Sequence, residues 1–213
     1  MSVRKLPVYI LLDTSGSMRG EPIHSVNVGL HAMLSALRQD PYSLESVHLS
    51  VITFDNDARE YIPLTPLDQV RFTDVIVPDS GATFLGAALV LLTQLVDRDV
   101  KKSTDDSKGD WRPLLFIMTD GSPSDVYAYR EAIDEVKLRN FGSIVACAAG
   151  PKAKQDVLLE LTDHVVTLDT MDSTAFASFF KWVSASVAVG SSSAGLSGQT
   201  SLPPPPPEIQ LVL

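Results

Sequence analysis

The run Val8-Tyr9-Ile10-Leu11-Leu12 passes directly into Asp13-Thr14-Ser15-Gly16-Ser17. Five successive apolar residues that end in a carboxylate and a set of hydroxyls predict a strand buried on both faces that surfaces into a polar turn. The same design recurs far downstream, where Leu114-Leu115-Phe116-Ile117-Met118 is followed by Thr119-Asp120-Gly121-Ser122. In an open α/β sheet the loops at the carboxyl ends of neighbouring strands share one crevice, so the two acidic turns meet if their strands are adjacent. Carboxylate and hydroxyl oxygens are hard ligands of the kind Mg²⁺ takes.

Outward from these two runs, strand and helix patterns alternate. Between Pro22 and Arg38 the residues Ile23, Val26, Leu30, Met33, Leu34 and Leu37 fall on one helical face, and Asp40-Pro41 stops that helix. His48 to Phe54 reads as a strand that Asp55-Asn56-Asp57 turns into a second, Arg59 to Leu64. That turn is too tight for a crossover and Pro63 has no N–H, so the second strand is an antiparallel edge. Thr83 to Val100 is a heavily apolar helix, Lys101 to Asp110 a solvated loop, and Leu114 to Met118 a central parallel strand. A helix from Asp125 to Arg139 capped by Gly142, a strand Ser143 to Ala149, a short helix Asp156 to Leu161, a strand His164 to Leu168 and a closing helix Ser173 to Val189 complete the series. The reading is one α/β domain: a doubly wound, mostly parallel six-stranded sheet with one antiparallel edge strand and helices on both faces, a Rossmann-like arrangement.

The composition changes at Gly190. Residues 1–190 form the expected domain, and 191–213 a flexible Ser/Gly- and Pro-rich tail in which Pro203 to Pro207 makes a polyproline II rod. The last residues, Glu208 to Leu213, alternate in polarity; we expect them to hang in solvent, the other course being to add a strand to a partner's sheet.

Charge and cysteine usage narrow the function. A net charge of -9 disfavours phosphate backbones and anionic membrane surfaces, so neither nucleic acid nor membrane is an expected partner. The single cysteine, Cys147, lies in an apolar run and reads as a buried strand residue. No stretch is apolar enough to cross a bilayer and no leader precedes the first strand, which places the protein in the cytoplasm as an expectation.

Asp13-x-Ser15-x-Ser17, the threonine of Gly81-Ala82-Thr83-Phe84-Leu85-Gly86, and Thr119-Asp120-Gly121 together resemble the von Willebrand factor A family, over roughly Lys5 to Val189 and in family order. The resemblance implies a metal-ion-dependent adhesion site with hydroxyls from Ser15, Ser17 and Thr83 and carboxylates from Asp13 and Asp120, direct or through water. It implies Mg²⁺, with Mn²⁺ and Ca²⁺ as other cations such a set takes. Two carboxylates leave such a cation electron-poor, ready for an Asp or Glu of a protein partner. Rim residues Met18, Arg19, Phe84 and Pro123 to Tyr127 are the expected source of selectivity. The start, Pro7 to Met18, resembles the bacterial tellurite-resistance (TerY-type) branch. That branch implies a scaffold in the tellurium and stress response beside a protein kinase and a metal-dependent Ser/Thr phosphatase. The resemblance also implies that the metal loops and the closing helix move together.

Two other accounts compete. Taken singly, Asp13, Ser15, Asp120 and Ser122 are also the residues that cap helices and shape turns. A Mg²⁺-dependent hydrolase or phosphatase is the alternative function. Against it, Ser15 stands where an aspartyl-phosphate enzyme places a second acid, and the chain has neither a G-x-x-x-x-G-K-[ST] loop nor a G-x-S-x-G elbow. His24 and His31, seven apart, do not have the spacing of a zinc pair.

Overall fold

The computed structural model describes residues 4–79, 81–193 and 202–212. Strand β1 (Leu6–Asp13) is buried along its whole length. It lies between β2 (Val47–Phe54) and β4 (Leu114–Thr119), parallel to both, so the two acidic turns leave adjacent strands at the same end of the sheet. The full order is β3-β2-β1-β4-β5-β6-β7, with β5 (Ser143–Ala149) and β6 (Val165–Leu168) continuing the parallel set. Strand β3 (Ala58–Pro66) pairs antiparallel with β2 at one edge, as expected. Its register slips around Val51, where Pro63, lacking an N–H, passes opposite Ser50 and the Ser50 hydroxyl donates instead to the Ile62 carbonyl at 3.0 Å.

Successive β1 side chains point to opposite faces, which builds two cores. Val8, Ile10 and Leu12 join α1 (Glu21–Gln39) and α6 (Ser173–Ser193), while Tyr9 and Leu11 join α3 (Leu85–Asp99) and α4 (Val126–Leu138). Phe176, Phe180, Val183 and Val187 of α6 all point inward, each contributing about 1.5–3 kcal/mol by burial. A short helix α5 (Gln155–Leu159) precedes β6.

Four details differ from the sequence reading. Asp40 ends α1 but also starts another helix, α2 (Pro41–Ser46), its carboxylate accepting from the Ser43 N–H at 2.8 Å with Pro41 in the first turn. The left-handed residue after α4 is Asn140, at φ 52°, not Gly142; the side-chain amide of asparagine tolerates that conformation, and Gly142 is already entering the sheet with its N–H on the Pro113 carbonyl. The sheet has seven strands rather than six. Residues Gln210–Leu211 form β7, antiparallel to β6, so the terminal segment pairs with the sheet of its own chain instead of hanging in solvent. Helix α6 also continues past Gly190, to Ser193. The rest of the Ser/Gly-rich stretch, 194–201, lies outside the described residues.

Candidate metal centre

The end of β1 delivers Asp13 into a nearly closed environment, 1 % exposed. One carboxylate oxygen accepts from the Ser15 backbone N–H at 2.8 Å and the other from the Thr119 hydroxyl at 2.6 Å, so the last residue of β4 is bonded to the last residue of β1. A chain of oxygens then runs across the crevice: Ser15 Oγ to Ser17 Oγ at 3.2 Å, and Ser17 Oγ donating to Asp120 Oδ1 at 2.9 Å. Ser15 and Asp120 are buried and Ser17 is exposed, which leaves the cluster open on one side.

Thr83 arrives from the loop before α3. Its carbonyl accepts from the Ser124 N–H at 2.8 Å and its own N–H donates to the Ser124 hydroxyl at 3.2 Å, sewing this loop to the one after β4. A Cβ on Gly121 would lie 3.2 Å from Thr83 Oγ1, so glycine at 121 is what lets the threonine side chain approach the Asp120 turn. The structure thus gathers Asp13, Ser15, Ser17 and Asp120 into one bonded cluster and packs Thr83 against it.

The capping account does not describe these contacts. Helix α1 begins at Glu21, with Gly20 before it and no side-chain cap, behind a 3-10 turn at Gly16–Met18. At the start of α4 the Asp125 carboxylate reaches to the neighbouring helix and accepts from the Gly86 and Ala87 N–H groups at the start of α3, at 3.1 and 2.8 Å. Asp13 does shape its turn through the Ser15 N–H, a local role compatible with ligation by its neighbours.

The oxygen spacing suits a small hard cation. Adjacent ligands of an octahedral Mg²⁺ lie about 2.9–3.0 Å apart, from bond lengths of about 2.0–2.1 Å, and the Ser15–Ser17 and Ser17–Asp120 separations are 3.2 and 2.9 Å. Among the described residues no group of three or more His, Cys, Asp or Glu side chains gathers anywhere. A cation held in this cluster therefore rests mainly on hydroxyls. Cys147 is fully buried, its thiol pushed well up by desolvation, and offers no soft alternative.

Electrostatics sets the state of Asp13. Its carboxyl is raised from 3.8 to about 6, chiefly by burial, with hydrogen bonds from Ser15 and Thr119 opposing the rise and the charge of Asp120 adding to it. The folded chain therefore keeps a proton that the unfolded chain gives up between about pH 4 and pH 6. Asp13's contribution to metal-free stability falls as pH rises through that window and is flat above it. We expect thermal melts in chelator to show this as a difference: wild type loses ground to Asp13→Asn from pH 4 to 6, and saturating Mg²⁺, which favours the ionised carboxylate, removes the slope.

Two contacts at the site carried no distinctive signal of their own. Thr119 is a bridging donor to Asp13 and takes the Gly121 N–H at 3.2 Å. Asp55, 3 % exposed, accepts from the Thr14 hydroxyl at 3.1 Å, and its carbonyl takes the Phe84 N–H, joining the β2 turn to the other loops. A lone Asp in a D-N-D turn reads as turn chemistry, which hides this role. Of the expected rim, Met18 and Pro123 are buried and unavailable, while Arg19 is exposed but held by Asp79 at 2.8 Å and the Pro78 carbonyl at 2.9 Å. Tyr127 stands 88 % exposed on the first turn of α4.

A parallel sheet with hydroxyl and carboxylate groups from three loops at its carboxyl end defines the class: an open-sheet α/β domain with an oxygen-lined crevice at its strand ends. The chain belongs to the von Willebrand factor type A domain family, whose sequence model matches residues 8–180. A comparison with curated proteins finds no match. Among solved structures, proximal thread matrix protein 1 from the mussel byssus is similar at 14% identity and a TM-score of 0.66, covering 86% of this chain and 48% of that one. A von Willebrand factor type A protein from Catenulispora acidiphila is similar at 15% identity and TM-score 0.62, covering 87% and 43%. The mussel protein also has a structure with a zinc-occupied MIDAS motif, 16% identical with TM-score 0.58, covering 86% and 46%. The chain spans about half the length of these structures or less. The family is typically one of metal-dependent protein-interaction modules. No helix among the described residues is long and apolar enough to cross a membrane.

Proposed function

We propose that this chain is a docking module that binds an acidic side chain of a protein partner through a divalent cation, Mg²⁺ before Mn²⁺ or Ca²⁺, without covalent chemistry. The observation that carries the reading is the continuous oxygen chain Ser15–Ser17–Asp120 beside the buried Asp13. Ser15, Ser17 and Thr83 bring neutral oxygens; Asp120 brings charge from the open side and Asp13 from beneath. A cation bound there supplies an open position for a carboxylate, which makes an acidic protein attractive to an acidic ligand. Exposed Tyr127 and the edge of Phe84 are the side chains placed to select among such ligands. The zinc-occupied motif of the mussel protein supports the same reading by likeness of fold.

The resemblance of Pro7 to Met18 supports a finer setting: a cytoplasmic scaffold of the bacterial tellurium-resistance and stress response, whose partners include a protein kinase and a metal-dependent Ser/Thr phosphatase. The test is a pull-down from native lysate with the intact chain in Mg²⁺, in excess chelator, and as Asp120→Ala in Mg²⁺. Partners retained by wild type in Mg²⁺ alone are the expected result. Retention indifferent to chelator and to the substitution sinks the reading.

A further inference from the structure

We infer that the outer edge of β6 is a strand-acceptor groove, filled in cis by residues 202–212 of the same chain, and that the same segment of a second copy fills it in trans. An exposed edge strand offers unpaired N–H and C=O groups to any extended segment, and β6, four residues buried throughout, would be such an edge without β7. The segment that covers it behaves as a ligand with recognition features of its own. Thr167 and Val166 pair with Gln210 and Leu211, and the Val212 N–H donates to the Val165 carbonyl at 2.9 Å. Ile209 is 3 % exposed in the core shared with α1 and α6, whereas Val212 packs on the opposite core, so the two anchors straddle the sheet. Upstream, the Trp182 Nε1–H donates to the Pro203 carbonyl at 2.9 Å and Leu202 packs beside it.

The sequence of the segment explains this arrangement. Helix α6, 21 residues long, carries the chain about 30 Å back along the sheet. The proline run offers no N–H and so cannot pair as a strand, but it stays extended and spans about 15 Å on the return. Only then can an antiparallel strand form.

The anchoring is sparse. Two residues are paired, Glu208 and Gln210 are exposed, and Leu211 is 44 % exposed. Eight residues, 194–201, join this segment to α6 and reach at most about 27 Å when extended. Exchange between two copies preserves every contact named here, the condition under which swapped dimers form at low cost. The cis arrangement prevails in dilute solution because a short link gives an effective concentration on the order of millimolar.

The test uses the full chain with Ile209→Asp, which disables the resident segment, and a fluorescent peptide of residues 202–213. Anisotropy is expected to show the peptide binding this variant at least tenfold more tightly than wild type, with no binding of a peptide carrying the same Asp. Equal binding to both proteins, or none to a variant whose circular dichroism matches wild type, overturns the proposal. If the variant fails to fold, Thr167→Cys/Gln210→Cys decides it. An intrachain disulfide in dilute protein that gives way to covalent dimer as concentration rises supports exchange. Absence of the disulfide, or a dimer fraction that does not grow with concentration, overturns it.

Discussion

Asp13→Asn is expected to melt higher than wild type in chelator at pH 7.5 and, on the proposed function, to bind Mg²⁺ about a hundredfold more weakly. The two effects have one cause. The buried carboxyl, raised to about 6, is ionised at pH 7.5 against its surroundings, a penalty of about 2–3 kcal/mol that a neutral amide of the same shape does not carry. That corresponds to roughly 5–10 °C in melting temperature for a domain of this size. Asparagine keeps the acceptor for the Ser15 N–H and presents an amide to Thr119 Oγ1, whose hydroxyl can turn to accept, so the bond between the ends of β1 and β4 survives. The lost charge becomes a disadvantage only when a cation is present. A turn-shaping role alone predicts stability changes with no cation to lose. Calorimetric titration with Mg²⁺ beside melts in chelator separates the two, and unchanged cation affinity would remove Asp13 from the site.

Gly86→Ala is expected to lower stability by about 3 kcal/mol, or roughly 6–12 °C. The new Cβ would fall 2.4 Å from the Tyr129 backbone nitrogen and 2.7 Å from both the Ala128 carbonyl carbon and Asp125 Oδ2. Two of these are main-chain atoms of α4, which no rotamer change moves aside. At Gly29, by contrast, the clash is with the ring of Phe180, a side chain. The α3–α4 contact is also tied by Asp125, whose carboxylate holds the Gly86 and Ala87 N–H groups, so separation of the helices breaks those bonds as well. Since α3 follows the Thr83 loop and α4 follows the Asp120 loop, cation affinity should fall together with stability. Urea unfolding measures the first as a lower midpoint at unchanged slope. A loss under 0.5 kcal/mol would mean that the helices are not in the close approach described.

The central strands were legible because burial on both faces demands continuous apolar runs, and few other structures do. That Asp13 and Asp120 come together was legible for a related reason: both follow such runs, and strand ends in a parallel sheet share a crevice. Asp55 was not, and neither was the bond that Thr119, quoted only as the residue before Asp120, makes to Asp13. Asp55 has the residue type and position of an ordinary turn residue, and each partner, Thr14 or Asp13, is far away in the sequence. Met18 misled for the opposite reason, since proximity to Ser17 in the chain says nothing of which way the side chain turns, and it turns into the core.

The C-terminal segment shows where local information stops. Its alternating polarity allowed a strand but did not decide against hanging in solvent, because a two-residue strand has almost no stability of its own and the acceptor is chosen by which edge lies within reach. The sequence by itself determined the alternation of strands and helices, the antiparallel hairpin of β2 and β3, and the acidic turns, because backbone sterics, periodic burial and turn chemistry act over a few neighbouring residues. Only the tertiary structure decided that β1 and β4 are neighbours, that Thr119 bonds Asp13, that Asp125 holds the start of another helix, and that Gln210 and Leu211 close the sheet, because each depends on groups brought together by packing of the whole chain.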